Sequence, residues 1–399
     1  MSAEPRLIVF SSLFPSSARP NAGGFVRERM FRVGRQLSLV VVSPVPYFPL
    51  QGLIRRWKPN YRPLPEKVEE QGGFQVYYPR FLAVPGLFRS LDGLSMALCG
   101  LPLLRRLKRR GYNLIDAHFA YPDGYAAMRL GRWLKLPVAI TLRGTEVPLS
   151  RDTRRRSLML AALAGARRVF AVSDSLKRHM AGLGADPANI RVVGNGVDTE
   201  VFHPVNRAEA RLALGIAESA PVLVSVGGLV ERKGFHRVIE VLPGLKREYP
   251  NLLYLVVGGG GPEGDISARL RRQVAELGLE DTVLFLGAMA PEALKQPLSA
   301  ADVFVLATSN EGWANVFLEA MACGLPVVAT DVGGNREVVC RDELGRIVPF
   351  GEPEALAEAL GRALAARWDR AAIIDYARTN GWERRVAVLV EEFRRLVSA

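Results

Sequence analysis

The chain alternates short, apolar, strand-like runs with stretches of helical period. In its first half the runs are Leu7–Phe14, Leu39–Val45, Phe74–Tyr78, Leu114–His118, Val138–Leu142, Val169–Val172 and Ile190–Val193. Amphipathic segments separate them: Val26, Met30, Val33 and Leu37 fall at i, i+4, i+7 and i+11, one face of a helix. Continuous rather than alternating runs predict strands buried on both faces, as in a parallel sheet covered by helices. The second half repeats the scheme. Strands are expected over Val222–Val226, Leu252–Val257, Val283–Leu286, Val303–Leu306, Val327–Ala329 and Ile347–Val348, with helices starting near Phe235, Ile266, Pro291, Asn315 and Glu354. Two such arrays in tandem predict an α/β chain of two doubly wound, Rossmann-like parallel-sheet domains. Turn formers cluster in NGVDTEVFHP (195–204), which places an N-terminal domain over 1–200 and a C-terminal domain over 201–380. A last helix, Trp382–Val397 within 381–399, follows the second array and is a candidate to pack back on the first domain. Ligands of open α/β sheets bind beyond the carboxyl ends of the strands, so the loops after strands are the places to search, and two facing arrays are expected to hold a ligand cleft between them.

Composition narrows the class. A length of 399 residues suits two domains, and 49% apolar with 23% charged residues excludes a disordered chain. No uncharged apolar run approaches the roughly 20 residues of a spanning helix; Gly93–Leu104 comes nearest. The opening MSAEPRLIVF carries an early Glu and Pro and reads as a strand rather than a signal peptide. Cys99, Cys323 and Cys340 are odd in number and lack metal-ligand spacing, so a reduced, cytoplasmic protein without a disulfide framework is expected.

Charge changes the picture more. The net charge is +13, yet residues 1–200 hold 31 Lys and Arg against 14 Asp and Glu, while residues 201–399 hold 22 against 26. The basic character belongs to the first half, in clusters such as Arg55-Arg56-Trp57-Lys58, Arg105–Arg110 and Arg154-Arg155-Arg156. Such a surface suits nucleic acid, an anionic bilayer or an acidic substrate; the plainer reading is a solvated face. The segment Leu87–Leu107 is apolar and ends in the basic run, the pattern of an interfacial helix on anionic headgroups. The competing reading is a core helix whose basic end complements its dipole.

The richest stretch for chemistry is 308–330, TSNEGWANVFLEAMACGLPVVAT. A strand should end near Ala307, and a helix with Asn315 as its N-cap would leave the amides of Val316, Phe317 and Leu318 unpaired in the first turn, an anion site. Glu311 precedes that helix and Glu319 lies one turn into it. Two carboxylates beside an anion site fit a ligand that brings hydroxyls as well as phosphate, as a sugar nucleotide does.

Glu311 and Glu319, eight residues apart and followed by AMACGLPVVAT, resemble the donor site of family 4 glycosyltransferases, retaining enzymes of the GT-B fold. Further matches follow in order: SDSLKRHM (173–180), NGVDTEVFHP (195–204), VGGLVERKG (226–234), VGGGGPE (257–263) and DVGGNREVV (331–339). Gly23 and Gly24, before a helix, resemble the glycine pair that approaches the donor, and 116–118 and 141–146 resemble acceptor-domain motifs. The resemblance implies that Glu319 accepts from the ribose diol, Glu311 holds the donor sugar near its reacting carbon, Lys233 neutralises the diphosphate and His118 touches a sugar hydroxyl. It implies a nucleotide-sugar donor as substrate and no cofactor or metal. The family's usual Arg five residues before the Lys is Gly228 here, so Arg232 becomes the candidate second cation. Arg143 stands where many members carry His, as in members that build anionic wall polymers such as teichuronic acid, and is the candidate acceptor-binding residue. With the basic first half, this points to a glycan or lipid-linked acceptor and a peripheral position at an anionic membrane surface, with nucleic acid not expected as a partner.

Plainer readings stand beside these. Glu311 could cap or pair with an Arg, Lys233 could be a surface Lys, His118 could satisfy a backbone carbonyl, and Gly23-Gly24 could be only a turn. A sugar-nucleotide epimerase on the same fold is the alternative enzyme class. A nucleic-acid-binding protein ranks lower, with 8% aromatics and no recognised motif. An NAD-dependent oxidoreductase lacks its G-x-G-x-x-G after the first strand, where the chain reads FPSSARPNAGG.

Overall fold

In a computed structural model, which describes residues 4–20, 22–57, 61–84, 86, 88–261 and 263–398, the chain divides into two compact units. One comprises Met1–Gly194 with Glu383–Ala399, the other Asn195–Trp382.

The first unit contains strands β1 (Arg6–Phe10), β2 (Ser38–Val42), β3 (Val45–Tyr47), β4 (Val68–Gln71), β5 (Phe74–Tyr77), β6 (Arg80–Leu82), β7 (Leu114–His118), β8 (Val138–Leu142), β9 (Arg168–Ala171) and β10 (Ile190–Val192). Eight form one sheet in the order β10-β9-β8-β7-β1-β2-β5-β4, parallel except for the antiparallel β4–β5 edge hairpin. The expected run Leu39–Val45 is broken: β2 ends at Val42, and the chain resumes as β3, which pairs parallel with β6 outside the main sheet. Pro44 cannot donate to a ladder, which explains the break. The charged strand β4 carries no apolar run and was not expected. On the Gly24–Gly34 helix Val26, Met30 and Val33 are fully buried, as their spacing predicts.

The last helix, Trp382–Ser398, sends Val386, Leu389, Val390 and Phe393 into the core of this first unit, against Leu7, Val9 and Phe170. Glu392 on its buried side meets Arg191 at 2.5 Å and Arg168 at 2.9 Å. Arg29, wholly buried, donates to the carbonyls of Val193 (2.5 Å) and Gly194 (2.9 Å), fixing the end of the unit's chain.

The second unit is a six-stranded, all-parallel sheet of β11 (Val222–Val226), β12 (Leu253–Val257), β13 (Val283–Gly287), β14 (Val303–Leu306), β15 (Val327–Thr330) and β16 (Gly345–Val348), ordered β13-β12-β11-β14-β15-β16. Helices Phe235–Glu248, Pro291–Ala300, Asn315–Ala322 and Pro353–Ala365 cover it. Strand order reverses between β7 and β1 in the first unit and between β11 and β14 in the second. These are the switch points where connections leave in opposite directions and a crevice opens beyond the strand ends.

Candidate active site

Lys233 and Glu311 flank the switch point of the second unit: one lies in the turn after β11, the other in the loop after β14. The loop after β11 runs from Gly227 to a single 3-10 turn, Glu231–Lys233. Its cations turn toward β14. Lys233 Nζ donates to Glu311 Oε1 at 2.5 Å, and Arg232 Nη1 reaches the same oxygen at 3.1 Å and the Asn310 carbonyl at 3.0 Å. Thr308 Oγ1 contributes a longer contact to Glu311 at 3.4 Å. The Glu311 side chain is 9% exposed and that of Lys233 17%, so the contact is largely, but not wholly, removed from water.

Backbone packing fixes this carboxylate. Gly333, in the loop after β15, has φ +53°, and a Cβ there would lie 1.7 Å from the Glu311 carbonyl oxygen. A side chain at 333 would therefore push the two loops apart. Thr330 Oγ1 adds a 2.6 Å bond to the Thr308 carbonyl.

Arg232 carries a second carboxylate that the sequence did not single out. Glu263, in the glycine turn after β12, meets its guanidinium twice, at 2.9 and 2.8 Å. This fork raises the Arg232 pKa, with Glu311 adding to it, and the same pairing lowers that of Glu263. Arg232 thus points toward Glu311 and Glu263 rather than away from the loop after β14. The fork joins residues 31 positions apart, and no local spacing announces it.

The helix after Glu311 corrects one expectation. It spans Asn315–Ala322 with Ala314 at its N-cap, and no side chain caps it. Asn315 is not the cap: its Oδ1 accepts from Asn195 Nδ2 at 2.8 Å. The tight turn also engages the Phe317 amide with the Ala314 carbonyl at 3.1 Å, so Phe317 is not an open donor. The Val316 amide finds no acceptor among the described residues. Glu319 is half-buried on this helix, a full turn beyond Asn315.

In the first unit the candidates lie around the switch point, Gly23 and Gly24 after β1, His118 at the end of β7 and Arg143 after β8, with different surroundings. Gly23 has φ +69°, and a Cβ there would strike the Leu13 carbonyl at 2.2 Å; its close approach is to its own chain. Gly24 opens the helix, and a Cβ there would meet nothing within 4 Å. His118 is completely buried. Its Nδ1 receives Arg143 Nη2 at 3.0 Å and Nε at 3.3 Å, and its Nε2 faces Asp116 Oδ2 at 3.4 Å. A guanidinium has no acceptor, so the imidazole is neutral with its proton on Nε2. Burial first, then the charges of Arg143 and Arg29, depresses the His118 pKa. Both His118 nitrogens therefore face protein groups, and a ligand hydroxyl reaches the ring only after a rearrangement. Arg143 is largely buried and stacks over Phe25, with its pKa lowered chiefly by burial.

Asp116 is the unexpected member. Both its oxygens are buried, and none of the described donors hydrogen-bonds to them. Burial pushes its pKa up to about 7, against the pull of Arg143 and Arg29. The sequence motif contained it but gave no sign that its buried oxygens lack a hydrogen bond. Among the described residues no three His, Cys, Asp or Glu side chains converge as metal ligands.

Comparison with known proteins follows this layout. The model described as Glycosyltransferase Family 4 matches residues 37–201, and Glycosyl transferases group 1 matches 206–380. The chain belongs to family 4 of the glycosyltransferases. A D-inositol 3-phosphate glycosyltransferase of Corynebacterium urealyticum is 38% identical over 54% of this chain and 53% of its own length. The chain thus spans about half of that relative. The Bacillus subtilis protein assigned as the teichuronic acid biosynthesis glycosyltransferase TuaC is 27% identical over 90% of this chain and 88% of its own. Among solved structures, Anabaena Alr3699/HepE in complex with UDP superposes with a TM-score of 0.73 at 21% identity, covering 97% of this chain and 99% of that one. The fold is GT-B, with one Rossmann-like sheet in each unit.

Proposed function

We propose that this family 4 chain transfers a sugar from a nucleoside-diphosphate donor to an acceptor hydroxyl, with retention at the anomeric carbon and without a metal ion. The observation that carries the reading is the convergence of Lys233 and Arg232 on Glu311 at the β11–β14 switch point. A diphosphate offers these cations oxygens that replace the carboxylate. They then stabilise the charge that develops on the leaving phosphate as the glycosidic bond breaks. Glu311, released from Lys233, accepts from the donor sugar, and Glu319 from the ribose diol. The Val316 amide adds a donor to the phosphate. The acceptor hydroxyl attacks from the face the phosphate leaves, and a phosphate oxygen takes its proton. The protein's part is positioning and charge stabilisation.

The donor is a UDP-sugar or GDP-mannose; the likeness to a structure holding UDP favours the first. The acceptor is a lipid-linked or cell-surface glycan met at the inner face of the cell membrane, in line with the likeness to TuaC and the basic first half. Thermal shift against UDP-, GDP- and ADP-sugars tests the base, and a panel without any stabilisation rejects the reading. NMR of the product assigns the anomeric outcome, and inversion rejects retention. Turnover abolished by EDTA and restored by a divalent ion rejects metal independence. Epimerised sugar formed from donor alone replaces transfer with the epimerase reading.

A further inference from the structure

The first unit exposes more apolar surface in one place than a solvated face needs. Of the thirteen large apolar side chains exposed among the described residues, seven fall within segments 50–57 and 82–98. Trp57 is 79% exposed and Phe88 67%. Patches of this kind on soluble domains mark interaction sites.

Tertiary contacts join these segments into one face. β3 pairs with β6, setting Tyr47 opposite Leu82. After β3 a short helix, Gln51–Ile54, leads to Arg55, whose guanidinium donates to the carbonyls of Tyr61 (3.1 Å) and Arg62 (2.6 Å). Arg62 in turn donates to the Ala83 carbonyl at 2.6 Å, and Ser95 on the Asp92–Arg109 helix donates to the Leu82 carbonyl at 2.8 Å. The excursion carrying Leu50 and Trp57 is therefore tied to Leu82, and Leu82 to the first turn of that helix.

The helix itself corrects the expectation for Leu87–Leu107. Leu87 lies outside the described residues. From Asp92 onward one face is core, with Met96, Leu104 and Leu107 buried. The opposite face is not. Leu91, Leu98 and Arg105 follow at seven-residue spacing, and Arg109 one turn further; all four are exposed. The outer face is apolar beside Leu82 and Phe88 and basic at its far end. Across segments 47–62 and 80–110 the sequence holds eleven Lys and Arg against a single acid, Asp92.

We propose that this face of the first unit docks on an anionic phospholipid bilayer, with Trp57, Phe88, Leu91 and Leu98 entering the headgroup region and Arg56, Arg89, Arg105 and Arg109 meeting lipid phosphates. Aromatic and aliphatic side chains ringed by arginine, on a surface almost free of carboxylates, complement a negative interface that is apolar beneath. A nucleic acid would use the arginines and leave Trp57 and the leucines without a role. The proposal deepens the reading of a membrane-held acceptor and rests on it.

The test is flotation of the full chain with phosphatidylglycerol/phosphatidylcholine vesicles, compared with phosphatidylcholine alone, at low and high salt. Binding should require the anionic lipid and weaken with salt. Trp57→Ser with Phe88→Ser, and separately Leu91→Ser with Leu98→Ser, should each weaken it about tenfold, and Arg105→Glu with Arg109→Glu at least as much. Arg271→Glu with Arg272→Glu, the same charge change in the second unit, should not. Melting temperature and nucleotide-induced shift should be unaltered in all. Absence of vesicle binding, or binding indifferent to the apolar pairs, overturns the proposal. So does loss of duplex DNA binding in the arginine pair with vesicle binding unmoved by Trp57 and Phe88, which identifies a nucleic-acid surface. Failure here with nucleotide binding intact removes the docking surface alone; vesicle binding without any nucleotide response removes the transferase reading alone.

Discussion

The two switch points use charge in opposite ways. After β11 and β14, cations and carboxylates of the second unit meet in partly exposed pairs: Lys233 and Arg232 on Glu311, Arg232 on Glu263. A ligand can replace such contacts, because each partner keeps access to water or to a substitute. Around the end of β7, the first unit buries Asp116 and His118 of that strand, Arg143 after β8 and Arg29 of the helix after β1 so fully that burial heads the causes of every shifted pKa. That group is a desolvated scaffold. The same topology thus offers one exchangeable set of charges and one fixed set.

The largest expected effects break the exchangeable set. Lys233→Ala should lower kcat/KM by roughly 10²–10³, as loss of a group stabilising transition-state charge does. Glu311→Gln should cut turnover comparably while nucleotide binding, read by thermal shift, holds or tightens, since Lys233 loses its internal partner. If nucleotide binding falls as far as turnover, Glu311 is structural.

The fixed set predicts a pH signature. The Asp116 carboxyl has a raised pKa, so between about 4 and 7 the folded chain binds a proton that the unfolded chain has lost. Its contribution is complete at acid pH and is lost as pH rises through about 7. Asp116→Asn should remove that dependence, roughly 1 kcal/mol per pH unit across the window. Parallel melting-temperature profiles of the two proteins would refute a raised Asp116 pKa.

Smaller effects sharpen the contrast. Glu392→Ala should cost about 2 kcal/mol in denaturant unfolding, below the usual figure for a buried ion pair because its arginines can rehydrate. Glu319→Ala should weaken nucleotide binding about tenfold, roughly 1.4 kcal/mol, by losing charge-assisted bonds to the ribose diol. An unchanged nucleotide titration would detach Glu319 from the site.

Local patterns carried most of the architecture. Runs rich in apolar residues located thirteen of the sixteen strands among the described residues, because a parallel strand covered on both faces buries most of its side chains. The runs failed at β3, β4 and β6, short or charged strands whose pairing is set by partners rather than by their own residues. The strand and helix pattern also placed Glu311 in the loop and Glu319 in the helix beyond a strand end, whereas Lys233 came from the family resemblance of its loop.

The chain by itself determined two α/β arrays, the basic first half and the motif residues, since each is written in neighbours a few positions apart. Tertiary structure decided which charges meet: Glu263 with Arg232 across 31 positions, Asn195 with Asn315 across 120, Glu392 with Arg191 across 201. It also decided that His118 and Asp116 are sealed from water and that Trp57 is not. Periodicity reports how a segment buries its own face, whereas partner and solvent access depend on which distant segment arrives beside it.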